Sequence, residues 1–208
     1  MSTQLPEPSA TNSTRSRGGE RELRADARRN RDRVLQTARL LFAAEGLGVS
    51  LDEIARRAGV GPGTVHRHFP TKEALYLAVA IDMVKQLVAE AEMLAAADDP
   101  AALFALVSRM VAAGAENAAA KSALEAAEVD LRVAAPEVAA DLSRHVADLL
   151  DRAHRAGVVR HDVTADEVMA LVAGAFAAIR HAGAASDRQR SAHLAQIILD
   201  GLRPQTSD

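Results

Sequence analysis

The sequence predicts an all-α protein, with a small three-helix unit at the N-terminal end and a larger helical body behind it. Three observations carry that prediction. Apolar residues recur at the 3.6-residue period of amphipathic helices through most of the chain. Aromatic residues are only 2% of a chain that is 49% hydrophobic, so the core must be built from Ala, Leu and Val, which favours close-packed helices over sheet. Strong breakers, among them Gly59, Asp98-Asp99-Pro100, Pro136, Gly157 and Gly183 with Asp187, divide the periodic stretches at helix-sized intervals.

Residues 1–20 are rich in Ser, Thr, Pro, Gly and Arg and carry one Leu, too little apolar surface to offset the entropy of ordering. Residues 1–24 are therefore expected to be a disordered arm, with a helical unit over 25–75 and the larger body over 76–208. The first helix is predicted from Asn30 to Ala44, because Val34, Ala38, Leu41 and Phe42 share one face. Gly46 and Gly48 end it. Ser50-Leu51-Asp52-Glu53 reads as a capping box, in which Glu53 reaches back to the Ser50 amide. Leu51, Ile54, Ala55 and Ala58 form the buried stripe of the second helix; Gly59 stops it and Val60 plugs the core under the turn. Pro62 suits the first position of a short third helix that closes at His68, before Phe69-Pro70.

Thr71 caps a long fourth helix, Lys72 to about Ala96. Five more are expected, at about Ala101–Gly114, Lys121–Val133, Pro136–Arg155, Ala165–His181 and Arg188–Leu202. Thr164-Ala165-Asp166-Glu167 is a second capping box.

Composition narrows the function. The chain has no Cys, which removes disulfides, thiolate metal sites and Cys nucleophiles and fits a reducing cytoplasm. Arg and Asp interrupt every apolar run before it reaches bilayer length, and the N-terminus lacks the apolar core of a signal peptide, so a cytoplasmic protein without a membrane partner is expected. The net charge of −3 hides an asymmetry: residues 1–70 sum to +4 and the remainder to −7, so one end suits a polyanion. An enzyme would need a clustered catalytic set. There is no Gly-rich phosphate loop before a helix and no His-Glu-x-x-His motif. His145 and His154 share a helix face beside Asp141 and Asp148, an unconvincing ligand set. No catalytic residue, metal site or cofactor is assigned.

Two short helices joined by Gly59-Val60-Gly61 make a helix-turn-helix, whose outer helix enters the major groove of double-stranded DNA, where base edges carry a full donor and acceptor code. The outer face of the third helix offers Gly63, Thr64, His66, Arg67 and His68, without a carboxylate among them. A helical hairpin of no such function has the same outline. The neighbouring residues are more specific: Val34-Leu35-Gln36-Thr37-Ala38-Arg39-Leu40-Leu41-Phe42, then Glu45-Gly46, Leu51-Asp52-Glu53-Ile54-Ala55-Arg56-Arg57-Ala58-Gly59-Val60, and Gly63-Thr64-Val65-His66-Arg67-His68-Phe69-Pro70-Thr71-Lys72-Glu73-Ala74-Leu75-Tyr76.

This stretch resembles the DNA-binding domain of TetR-family transcriptional regulators. The resemblance implies DNA contact at Thr64, close backbone approach at Gly63, and phosphate contacts at His68 and Lys72. His66 stands where most relatives carry Tyr. Phe69 and Tyr76 match packing or hinge positions. With Ser50 and Arg67, the expected DNA-binding set is Ser50, Gly63, Thr64, His66, Arg67, His68 and Lys72. Arg24, Arg28, Arg29 and Arg31 either reach the adjacent minor groove or backbone, or form a solvated basic tail.

Such a regulator is expected to be a homodimeric repressor that leaves its operator when an unidentified small-molecule effector binds. The alternative is control by a protein partner, or no effector at all. The dimer surface is expected on the last two helices, where Val168, Leu171, Val172, Ala175 and Ile179 make one stripe and Leu194, Ile197, Ile198 and Leu202 another. Phe104, Val107, Met110, Val111, Leu131, Leu149 and Phe176 are the expected pocket lining, with the fourth helix as the lever between the two halves.

Overall fold

The structure, a computed structural model, describes residues 13–181 and 188–204, with side chains described from Arg21 onward except those of residues 23 and 188. The described residues form α1 (Ser13–Glu45), a 3-10 turn (Gly46–Gly48), α2 (Leu51–Ala58), α3 (Pro62–His68), α4 (Lys72–Ala96), α5 (Ala102–Glu116), α6 (Ala118–Ala126), α7 (Leu131–Ala134), α8 (Pro136–Arg155), α9 (Ala165–His181) and α10 (Arg188–Leu202).

The N-terminal core is the apolar stripe predicted for α1 meeting those of α2 and α3: Val34, Leu35, Ala38, Leu41 and Phe42 pack with Leu51, Ile54, Ala55, Ala58, Val65 and Phe69. Phe42 and Tyr76 meet edge to face, 4.9 Å between centroids. α4 begins in this core, through Leu75 and Val79, and ends in the second, through Val84, Leu87 and Ala91. That second core joins α4, α5, α8, α9 and α10, with Leu103, Leu106, Val107, Val146, Leu149, Val168 and Leu202 at its centre. Arg152 donates to the Ala95 carbonyl at 2.6 Å and so satisfies the C-terminal end of α4.

Three expectations are corrected. The arm expected to be disordered is helical from Ser13, and α1 runs on without a break to Glu45. Residues 20–33 are mostly Glu, Arg, Leu and Ala, good helix formers, and Arg29–Asp26 and Arg33–Asn30 pair one turn apart. A helix already nucleated on the core at Val34 extends cheaply into such a sequence. Residues 1–12 lie outside the described residues.

The helix expected over 121–133 is instead α6 and α7. Glu128 takes a left-handed conformation (φ 55°), and the Asp130 carboxylate accepts from the Arg132 amide at 2.8 Å to start α7. Its break lets α6 pack Ala120 and Leu124 into the N-terminal core.

Only half of the first capping box forms. Ser50 Oγ accepts from the Glu53 amide at 3.1 Å, but the Glu53 carboxylate turns to Arg56 and Arg57. The second box closes both ways: the Thr164 amide donates to Glu167 at 2.7 Å, and the Glu167 amide donates to Thr164 Oγ1 at 3.3 Å.

Candidate nucleic-acid interface

α2 and α3 are set by local chemistry. Gly59 adopts the left-handed conformation (φ 65°) that ends α2. Val60 is half-buried against the core beneath the turn. Pro62 opens α3 at a position whose amide would have no helical partner. Val65 and Phe69 are buried and fix the inner face of α3. Gly63, His66, Arg67 and His68 are therefore left exposed and Thr64 half-buried.

Tertiary packing adds groups that the sequence of α3 does not contain. His66 Nε2 lies 3.0 Å from Asp52 Oδ1, so a carboxylate from α2 stands beside the otherwise acid-free outer face of α3. Arg67 Nε donates back to the Gly63 carbonyl at 3.0 Å, laying the guanidinium along the helix. The Arg31 guanidinium sits 5.9 Å from the centroid of the Phe69 ring, bringing the N-terminal half of α1 to the end of α3.

Lys72 is half-buried. Its ammonium donates to the carbonyls of Leu47 (3.3 Å) and Gly48 (3.5 Å), and the Tyr76 hydroxyl donates to the same Leu47 carbonyl at 3.3 Å. These two side chains pin the turn after α1 to the first turns of α4. A lysine opposing the dipole at a helix start thus has a use within the fold. Only the pairing across helices reveals it.

Charge on α2 is largely matched. Glu53 meets Arg56 and Arg57, and Arg57 also reaches Glu45 at 2.8 Å. The two guanidinium hydrogen bonds hold the Glu53 carboxyl at about 2. Its folded value lies below the ordinary 4.5, so this pairing favours the folded state above the ordinary value and is lost as pH falls toward 2. The difference in melting temperature between the wild type and Glu53→Gln is expected to shrink over that window, as thermal scans across the acid range would read.

Residues 34–79 match the model of bacterial regulatory proteins of the tetR family, and residues 98–204 match the C-terminal domain of SbtR-like transcriptional regulators. A TetR transcription regulatory protein from Mycobacterium vanbaalenii is 47% identical, covering 88% of this chain and 99% of that one, with a TM-score of 0.68. The chain belongs to the TetR family. A second TetR-family regulator, from Streptomyces coelicolor, is 32% identical over 85% of this chain and 99% of its own, with a TM-score of 0.64. An HTH-type transcriptional regulator of Staphylococcus aureus is 43% identical over 54 residues, which are 26% of this chain and 29% of that relative's length.

The molecule is thus a TetR-family helix-turn-helix transcriptional regulator, a DNA-binding protein of a family of regulators rather than enzymes. Among the described residues, no group of three His, Asp or Glu could hold a metal ion, and no helix is long and apolar enough to cross a membrane. His145 and His154 do not share a site: His145 lies 3.9 Å from Glu92, and the His154 ring lies 5.3 Å from that of His161.

In the TetR-family body, the residues expected to line a pocket lie in and around the second core. Val107, Met110, Val111 and Leu149 are buried, packed side chain against side chain, and Phe104, Leu131 and Phe176 are half-buried at their edges. Arg203 covers the Phe104 ring at 4.9 Å and Lys121 the Phe176 ring at 4.0 Å. A groove of about 790 Å³ lies between α1 (Arg39, Leu40, Phe42, Ala43), α5 with the α5–α6 corner (Ser108, Ala112, Ala115 to Ala119) and α10 (Ser191, Ala192, Ala195). Leu40 is 72% exposed at its edge.

The two stripes of α9 and α10 also divide. Val168, Val172, Ala175, Ile179 and Leu202 are buried in the protomer. Ile179, expected at the dimer surface, is a core residue packed with Val111 and Ala195, because its side of α9 faces α5 and α10. Leu171 (42% exposed) and Ile197 (55% exposed) face outward, with Leu194 and Ile198 half-buried beside them. Together with Ala170, Gly174, Ala178 and Gly201 they line a second groove of about 620 Å³.

Proposed function

We propose that this regulator is a homodimeric repressor that leaves its operator when a small molecule occupies the groove between α1, α5 and α10. The observation carrying this reading is that the groove's walls come from both halves of the molecule: α1 belongs to the core that holds α3, whereas α5 and α10 belong to the body. An occupant sets the spacing between those walls and so biases where α3 points. It shifts the equilibrium only as far as it prefers one spacing. The volume is that of a small-molecule site, and the lining is mostly apolar, with Arg39, Ser108, Glu116, Asn117 and Ser191 as polar anchors. An amphipathic effector with a flat apolar body and one or two hydrogen-bonding groups suits it.

DNA contacts are assigned to Thr64 at base edges, with Gly63 allowing close backbone approach, and to Ser50, Arg67, His68 and the Lys72 ammonium at phosphates. His66 is shared with Asp52.

The operator comes from selection of bound sequences out of a random pool, with an inverted repeat expected from a dimer. On that operator, Ala192→Trp, which fills the groove from the α10 wall, is expected to weaken binding about tenfold, a loss of roughly 1.4 kcal/mol, with an unchanged melting temperature. Wild-type affinity in a folded Ala192→Trp protein would remove the groove as the effector site. Control by a protein partner is the second reading. The packed interior around Val107 and Leu149 favours it, since that core holds side chains where a ligand was expected.

A further inference from the structure

We infer that the N-terminal half of α1 is a second DNA-contacting element, a rigid helix that lays one strip of arginines along the phosphate backbone flanking each half-site. The inference rests on the helix-turn-helix binding DNA and does not depend on any effector.

The family's DNA-binding model begins at Val34, which is also the first buried residue among the described side chains of α1. From Arg21 to Arg33 no described side chain is buried. Arg21, Arg24, Arg28 and Arg31 follow at i, i+3, i+7 and i+10, the spacing of one helix face. Arg29 and Arg33 fall on the other flank, where they engage Asp26 and Asn30. The arginines are thus sorted by face: the strip continues, beyond the core, the line of Leu35, Ala38 and Phe42 along α1, and Arg29 and Arg33 lie away from it.

The position of the strip gives it a direction. Its inner end, Arg31, rests over Phe69, the residue directly after His68 at the end of α3. It therefore starts beside the helix that reads the major groove and continues away from it for roughly 15 Å, ten residues at helical rise.

Helical structure also selects the mode of contact. A flexible arm can thread a minor groove about 6 Å wide, but an α-helix with its side chains is about 10–12 Å across and cannot. The strip must meet phosphates from outside the groove. Guanidinium groups suit that task, because they pair with phosphate oxygens in a fixed fork. The contact is sequence-independent and lengthens the footprint without adding base readout.

The test is the triple variant Arg21→Gln, Arg24→Gln and Arg28→Gln, compared with the wild type and with the triple Arg→Lys variant on operator and random duplexes across a salt series. Each phosphate contact contributes about 0.9 to the slope of log affinity against log salt, so the Gln variant is expected to lose about 2–3 from the slope per protomer. Its affinity is expected to fall about tenfold or more at 0.1 M salt, by similar factors on both duplexes, while the Lys variant keeps most of the slope. Hydroxyl-radical protection of the backbone outside the half-sites should disappear in the Gln variant alone. An unchanged slope and footprint in the folded Gln variant overturns the inference and leaves the helix-turn-helix reading intact. A wild type without salt-dependent DNA binding overturns both.

Discussion

Ile197→Asp is expected to turn the protein into a monomer and to weaken operator binding by about a hundredfold or more. Ile197 is 55% exposed and Leu171 42% exposed in the protomer. Between and around them lie Ala170, Gly174, Ala178 and Gly201, positions without bulk where a second pair of helices can approach closely. Large side chains beside such small ones allow knob-into-hole packing of α9 and α10 against their own copies, with two-fold symmetry. A carboxylate at the centre of that contact would lose its hydration without gaining a partner, at a cost of several kcal/mol per side. The protomer itself should tolerate the change, because Ile197 does not fill its core. Each α3 reads only a few base pairs, so a lone protomer forfeits the second half-site. Sedimentation gives the mass and a gel-shift titration gives the affinity. A dimer of wild-type affinity would place the interface on another surface.

Gly114→Ala is expected to destabilise the fold by about 2 kcal/mol, although Ala is normally the better helix former by nearly 1 kcal/mol. A Cβ built on Gly114 would lie 2.0 Å from Phe176 Cε1, 2.3 Å from Cδ1 and 2.6 Å from Cζ. No real Cβ tolerates those distances. The Phe176 ring is also held from α6, where the Lys121 ammonium sits 4.0 Å from its centroid. α5 and α9 must separate or the ring must leave its rotamer. For a chain of this length a loss of that size lowers the melting temperature by roughly 4–8 °C. In the double variant Gly114→Ala with Phe176→Ala the clash is absent, so the two losses should fall well short of adding. Additive losses would show that Gly114 and Phe176 do not meet.

Both effects depend on the same small-residue chemistry. A core with few aromatics brings helices close, and Phe176 lies directly over the α5 backbone at Gly114. The contact also ties the body to the DNA-binding half. α6 packs Ala120 and Leu124 into the N-terminal core, and on its other side Lys121 touches Phe176 while Glu125 pairs with Arg180 of α9. α6 thus connects the halves as well as α4, where chain continuity alone points only to α4.

Local signals in the sequence determined the helix-turn-helix and most helix limits. α4, α8, α9 and α10 run between the residues that periodicity and breakers mark, Gly59 ends α2, and Pro62 opens α3. These features depend on neighbours within one turn, so a single strand of text contains them. The apolar stripes were legible too, but not what each one faces: a stripe has the same period whether it packs on its own chain or on a copy. Only tertiary structure assigned Ile179 to the core and Leu171 to the surface, filled the space around Val107 and Leu149, and opened the groove beside α1. The same holds for Asp52 beside His66 and Lys72 on the Leu47 carbonyl, contacts between residues fourteen and twenty-five positions apart. Burial and pairing are properties of the assembled surfaces, decided by which helix lies across the way, and local spacing does not contain that information.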